Sequence, residues 1–412
     1  MGSRADRLRS RRSVVPGAIA VLALCMASAL ALNAYASSPF GSAYGASTSG
    51  MRTAESASVR AVLATALTFT PSPSAVDVPL DTPVAVSTAT GWLTSVRVTG
   101  ANGAVLPGTL AASRQSWQAN TTLAANTTYQ VSAQLSGLQG PRGELTSTFQ
   151  TLTPVARVGA RVFPDNLTVG VGQPVVVRFD HAITGPPAQA AALRHFHVTA
   201  SKPVSGGWRW FSPRELHFRP ASYWPTGEHV SVSGNLDGWN AGDGMWGAGQ
   251  PRASFTVGDA HMSVANLATH QMTVTSNGRP VATYPISAGR DKYPTMGGTH
   301  IVMDRESVVH MVSSTNGIPV NSPDGYDELV YQDVHISDSG EYVHAAPWSV
   351  NAQGNTNVSH GCINLSPADA TAFFNFSRIG DVVAVTGGTR PPEHGDHGVM
   401  DWSTPWSEWT PA

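Results

Sequence analysis

The sequence predicts a mainly β protein: two tandem sandwiches of short strands, then a mixed-β domain with one capped helix. Short alternating segments recur between clusters of turn residues from about residue 60 to 257. That region divides into halves that each close on a strand containing Thr and Phe, Thr148-Phe149 and Phe255-Thr256. Beyond Asp259 only one segment carries both start and stop signals of a helix. A chain of 412 residues exceeds one ordinary core. With 41% hydrophobic residues and 11 Trp, each domain can fill an interior despite the low charge.

In the first half the strand segments are residues 67–70, 84–86, 95–98, 129–132 and 147–149. After Pro154 the pattern repeats with 169–179, 216–218, 229–232 and 254–257. Spacing and alternation suit two immunoglobulin-like modules, over 60–153 and 154–257. The third domain, 258–387, has alternating strands at 272–274 and 281–284 and a final strand at 382–385. Its helix is expected to start on the cap Ser366, with Pro367 in the first turn and Asp369 three residues past the cap, and to end at Gly380. The tail, 388–412, is rich in Pro and Trp. Leaving Trp402, Trp406 and Trp409 in water would be costly, so the tail is expected to pack on the preceding domains.

Arg4, Arg7, Arg9, Arg11 and Arg12 precede an apolar run from residue 14 to about 32, and Ala34-Tyr35-Ala36 offers a small-x-small cleavage site. Residues 1–36 therefore read as a signal peptide or membrane anchor, and 37–59 as a flexible linker. Export follows, with membrane contact only through that anchor. Cys25 follows Leu24, which is not the small residue a lipoprotein signal places there. A net charge of -2 with 13% charged residues gives no footprint for nucleic acid. Once the signal is removed, Cys362 is the only thiol: a buried structural group, an intermolecular link or a nucleophile.

Its neighbours bear on that choice. Ser359-His360-Gly361-Cys362-Ile363-Asn364 lies just ahead of the capped helix, and His344 ends the strand-like Glu341-Tyr342-Val343-His344. A thiol is strongly nucleophilic as thiolate, and a nearby imidazole can take its proton. Glycine beside the Cys lets main-chain N–H groups turn toward a substrate carbonyl. On residue types alone, a buried Cys with two packed His reads equally well.

The hexapeptide, separated from His344 by fourteen residues, resembles the signature of YkuD-type L,D-transpeptidases. The resemblance extends to Tyr293-Pro294-Thr295-Met296-Gly297-Gly298, to Asn321-Ser322-Pro323-Asp324-Gly325-Tyr326, to Ala346-Pro347-Trp348-Ser349-Val350 and, in the second sandwich, to Gly242-Asp243-Gly244-Met245-Trp246-Gly247. It implies that Cys362 attacks the carbonyl of the third residue of a peptidoglycan tetrapeptide stem and expels D-alanine, with His344 as base. An amine of a second stem would then take up the thioester, giving a 3-3 cross-link. Tyr326 and the N–H groups of His360, Gly361 and Cys362 would hold the oxyanion. Asn364 would orient loop and substrate, Met311 and Trp348 would line the donor pocket, and Ser359 and Gly340 are further candidates for substrate contact. The resemblance further implies acylation by carbapenem β-lactams, no cofactor and no metal, and a site of action in the wall or at the outer face of the membrane. Alternatives are an L,D-carboxypeptidase, with water as acceptor, and an inactive cell-wall binding protein.

Ala345 stands where better-known members often have Ser, and the main-chain carbonyl is expected to orient the imidazole instead. Glu393-His394-Gly395-Asp396-His397 has metal-like residue types but is read as a solvated loop, and His195 and His197 as structural. Asn120, Asn126 and Asn166 open Asn-x-Ser/Thr triplets that matter only in a glycosylating host.

Overall fold

The computed structural model describes residues 65–137 and 143–409; the Arg-rich amino terminus, the apolar run with Cys25 and the linker lie outside them. Strict alternation builds the first sandwich. In Thr128–Ser136 the side chains of Tyr129, Val131, Ala133 and Leu135 all point inward. One sheet runs Leu67–Thr70, Ala85–Thr88, Ser116–Ala119, Gly108–Leu110; the other runs Val105–Leu106, Trp92–Gly100, Thr128–Ser136, Gly143–Gln150. Both contribute to one core that contains Phe69, Val86, Trp117, Val98 and Phe149. Each such side chain stabilises the fold by about 1.5–3 kcal/mol when fully buried.

The second sandwich pairs the sheet Ala160–Phe163, Val175–Phe179, Glu215–Pro220, Gly206–Ser212 with Leu167–Val169, Arg252–Val257, His229–Gly234, Phe196–Ala200. The single strand expected over 169–179 is instead two, Leu167–Val169 and Val175–Phe179. Between them the chain leaves the sheet to meet the third domain. Gly170 N–H donates to the Ile379 carbonyl at 2.7 Å, and Gly172 N–H to that of Gly380 at 2.9 Å. A Cβ on Gly170 would collide with the backbone of Gly380 and Asp381, so only glycine permits this approach. Pro186–Ala192, a short helix started by two prolines, has no counterpart in the sequence reading. His195 sits in a 3-10 turn, where its Nδ1 meets the Asn235 carbonyl at 2.7 Å, and His197 lies on an edge strand.

In the third domain two sheets enclose one core. The first runs Arg279–Pro285, Gln271–Ser276, His261–Asn266, Val382–Thr386, Gly298–Ile301. The second runs Asp304–Val312, Asp327–Ser337, Glu341–Ala345, Ile363–Leu365. Helix Pro367–Phe376 lays Ala370 and Phe373 into that core. Ser366 Oγ accepts from the Asp369 amide at 3.2 Å and donates to its carboxylate at 2.8 Å. The helix ends at Phe376, not Gly380: Ser377 is extended, and its Oγ takes the Phe373 carbonyl at 2.7 Å.

After the last strand the chain returns to the second sandwich. Arg219, only 3% exposed, sits among the rings of Trp402, Trp406 and Trp409, with its guanidinium 4.7, 5.1 and 4.6 Å from the three centroids. It also donates to the Thr404 carbonyl at 2.8 Å. The loop read as solvated is partly buried: Asp396 is 5% exposed and accepts from Ser337 and Ser339. The expectation fails there because carboxylate and imidazole find partners 57 to 182 residues away in sequence. Since Trp409 is 1% exposed, Trp409→Ala is expected to lower stability by about 3–5 kcal/mol in urea unfolding. An unchanged midpoint would mean that the tail is not part of the folded unit.

Candidate active site

Parallel pairing of Glu341–Ala345 with Ile363–Leu365 sets His344 beside Asn364 and leaves Cys362 at the mouth of the second strand. Helix Pro367–Phe376 packs behind both strands. A cavity of about 260 Å³ opens in front, lined by Cys362, His344, His360, Ser359, Asn364, Tyr326, Met311 and Trp348, with Gly325, Glu328, Val330 and Val358 completing the wall. Trp348 and Val358 leave an exposed apolar lip.

His344 is 4% exposed, and its Nδ1 meets the main-chain carbonyl of Ala345 at 3.0 Å. A carbonyl can only accept, so Nδ1 carries the hydrogen and Nε2 keeps a free lone pair. Ala345 therefore costs the site nothing in this respect. Burial holds the imidazole well below its ordinary range, down to about 4, against the opposing pull of that carbonyl. Burial likewise pushes the Cys362 thiol up to about 12; the Tyr342 amide opposes this, while Glu341 and Asp333 add to it. Cys362 is half-buried, and water in the cavity softens the shift without reversing it. The thiol also points toward the Gly340 carbonyl, at 3.7 Å. At neutral pH the resting pair is a neutral thiol and a neutral imidazole.

The loop that carries the thiol is held from within. Ser359 Oγ accepts from the Gly361 amide at 3.1 Å and donates to the Cys362 carbonyl at 2.6 Å, while Thr295 Oγ1 donates to the Gly361 carbonyl at 2.7 Å. Gly361 has φ of 133°, a conformation that L side chains rarely adopt. His360 Nε2 faces the Arg290 guanidinium at 2.8 Å, so it is an acceptor, and burial followed by the Arg290 charge lowers its pKa. Arg290 in turn donates to Asp324 at 2.6 Å, as does Lys292 at 2.5 Å. Tyr293 and Tyr326 flank the His360 ring, with centroids 5.1 and 5.0 Å away. Asn364 Nδ2 donates to Ser349 Oγ at 3.0 Å, and its buried Oδ1 has no partner.

Residues 261–385 match the family model described as the L,D-transpeptidase catalytic domain, and residues 75–240 match that of a bacterial Ig domain, a span that crosses from the first sandwich into the second. L,D-transpeptidase 2 of Mycobacterium tuberculosis (strain CDC 1551 / Oshkosh) is 40% identical over 347 residues, which cover 83% of each chain. The chain belongs to the L,D-transpeptidase family. L,D-transpeptidase 5 of Mycobacterium tuberculosis (strain ATCC 25618 / H37Rv) is 33% identical over 83% of this chain and 76% of its own. A solved L,D-transpeptidase structure, LdtMt1 in complex with imipenem, shares 37% identity over 57% of this chain and 100% of its own, with a TM-score of 0.50.

Two of the residues expected at the site sit differently, Gly361 and Gly340. The Gly361 amide donates to Ser359 Oγ, while Ser359 both holds the loop that carries Cys362 and lines the cavity. Gly340 does not line the cavity; its carbonyl faces the thiol. The sequence reading passed over Arg290, and gave no role to Glu341 or Asp324 within the segments it quoted. Glu341 accepts from the Met296 amide at 2.9 Å and from Arg390 at 2.7 Å, beneath the Cys loop. No local spacing marks these residues, whose partners lie 31 to 70 positions away.

Two carboxyls behind the site are raised to about 7: Asp333 by burial and then the Glu306 charge, Glu341 by burial against Arg390. Neither Asp333 oxygen has a hydrogen-bond partner. A folded pKa above the unfolded one adds stability that is complete below about pH 4 and is lost as pH rises through about 7. Asp333→Asn should remove this cost and gain roughly 4 kcal/mol over the parent at pH 8, with little gain at pH 4. Equal offsets at both pH values in thermal unfolding would refute the assignment.

Proposed function

We propose that this enzyme forms 3-3 cross-links in peptidoglycan through a thioester on Cys362, with His344 as general base. The observation that carries this reading is the shared cavity of Cys362 and His344, with the imidazole fixed so that Nε2 is its free acceptor. As Cys362 Sγ attacks the carbonyl of the third stem residue, its proton passes to His344 Nε2. The tetrahedral oxyanion collapses, the amide bond to D-alanine breaks, and the proton goes to the departing amine. An acceptor-stem amine then attacks the thioester, gives up its proton to His344 and restores the thiol. A neutral starting pair suits proton transfer in step with bond formation, because a dry pocket disfavours a preformed ion pair.

Tyr326 and the main-chain N–H groups of His360 and Cys362 remain as oxyanion donors. The bond from Asn316 Nδ2 to the Tyr326 hydroxyl at 3.3 Å does not use the phenolic proton. The orphan Oδ1 of Asn364 suits a substrate N–H, and the Trp348 lip the apolar part of a stem. The Arg-rich, apolar amino terminus supports action outside the cytoplasmic membrane. The imipenem complex of a relative supports acylation by carbapenems, whose strained carbonyl stands in for the donor amide.

Intact-mass measurement with a carbapenem should show one adduct, lost in Cys362→Ala; an adduct that persists would place the nucleophile elsewhere. Because His344 stays unprotonated down to about pH 4, the acylation rate should hold between pH 8 and 5. His344→Ala should acylate at least about 100-fold more slowly at pH 7 and recover only in strong alkali, as the thiol ionises. His360→Ala should show no such recovery; rescue in His360→Ala and not in His344→Ala would reverse the two roles. With purified muropeptides, mass spectrometry should yield a cross-linked dimer. A shortened monomer alone would make the enzyme a carboxypeptidase, and no change would make it a binding protein.

A further inference from the structure

Glu215, His217 and His397 each present one donor atom, and the three atoms lie within 4.8 Å of one another. They belong to the strand Glu215–Pro220 of the second sandwich and to the loop that follows the third domain. His217 is 1% exposed, and its Nδ1 meets the Asp401 carboxylate at 2.9 and 3.0 Å. That carboxylate fixes the hydrogen on Nδ1 and leaves a lone pair on Nε2, which is buried and has no partner. His397 repeats the arrangement, with Nδ1 on the Asp338 carboxylate and Nε2 2.5 Å from Glu215 Oε2. Phe211 stacks on both imidazoles, 4.7 and 4.2 Å from their centroids, and walls the cluster on one side. Arg178 occupies the other oxygen of Glu215.

We infer that Glu215, His217 and His397 bind one divalent transition-metal ion, zinc by donor chemistry, which fastens the carboxy-terminal segment to the second sandwich. Two imidazole nitrogens and a carboxylate oxygen form a borderline donor set suited to tetrahedral zinc, with water as fourth ligand. Carboxylates on the far nitrogens are the outer shell that metal-binding histidines use to fix tautomer and basicity. Without a metal, a protonated His397 bridging Glu215 and Asp338 accounts for one histidine, but it leaves the His217 lone pair buried and unpaired. Bonds of about 2.0–2.1 Å place two zinc ligands roughly 3.3 Å apart. The 2.5 Å pair therefore opens by under about 1 Å on binding, and the proton on His397 Nε2 is released to solvent. The His397 side chain, 30% exposed, gives the ion its path in.

The test uses the full chain carrying Cys362→Ala, so that no thiolate competes, stripped with chelator and titrated with Co²⁺ and Zn²⁺. One equivalent should bind, with a Co²⁺ visible spectrum that Zn²⁺ abolishes and a Tm increase of roughly 5 °C. His397→Ala and Glu215→Gln should each weaken binding at least about 100-fold, while His394→Ala, in the same loop, leaves it intact. Folded Cys362→Ala chain that takes up no metal at 100-fold molar excess would overturn the proposal, leaving the cluster an ion-paired staple. So would binding that survives both ligand substitutions. If those variants fail to fold, the stoichiometry and Tm response of the Cys362→Ala chain decide alone.

Discussion

The proposed chemistry rests on one hydrogen bond, from Nδ1–H of His344 to the carbonyl of Ala345. It joins a side chain to the backbone of the very next residue, so its geometry is as rigid as the strand that makes it. It sets the tautomer, and the tautomer decides which nitrogen can take a proton from the cavity. Burial of the ring then keeps that nitrogen unprotonated through the neutral range. A side-chain acceptor would add a rotamer to be held, whereas a main-chain acceptor adds none. Ala345 therefore needs no side-chain acceptor to orient the ring.

Everything around that bond preserves the strand. His344 lies between Asp327–Ser337 and Ile363–Leu365, backed by helix Pro367–Phe376. The loop before Val382–Thr386 is tied to the second sandwich by two main-chain hydrogen bonds at Gly170 and Gly172, and Val382 itself enters the sandwich core. The Trp-rich tail closes the same junction from the other side by enclosing Arg219. At Val382 the catalytic domain thus contributes to the core of the second sandwich.

Much of this was legible in the sequence because it is local. Alternation in 129–132 and 254–257 encodes strands, and Ser366, Pro367 and Asp369 encode a helix start. The Cys362 hexapeptide and His344 meet in one cavity. What sequence reasoning missed depends on contacts between distant segments. The turn at 170–174 exists because the third domain sits against it, and the helix stops at Phe376 because Ser377 captures a carbonyl. The Gly361 amide looks available until Ser359 is seen to hold it. The Arg290, His360 and Asp324 cluster, like the junction of Glu215, His217 and His397, joins residues with no shared spacing.

The central claim is that His344 is a neutral, Nδ1-protonated base in the resting enzyme. ¹⁵N NMR of histidine-labelled protein reads this directly, since the two ring nitrogens of a neutral imidazole differ strongly in shift and those of an imidazolium do not. The resonance missing in His344→Ala should show a protonated Nδ1 and a bare Nε2, unchanged from pH 8 to pH 5. A protonated Nε2, or two equivalent protonated nitrogens at pH 7, would contradict the account.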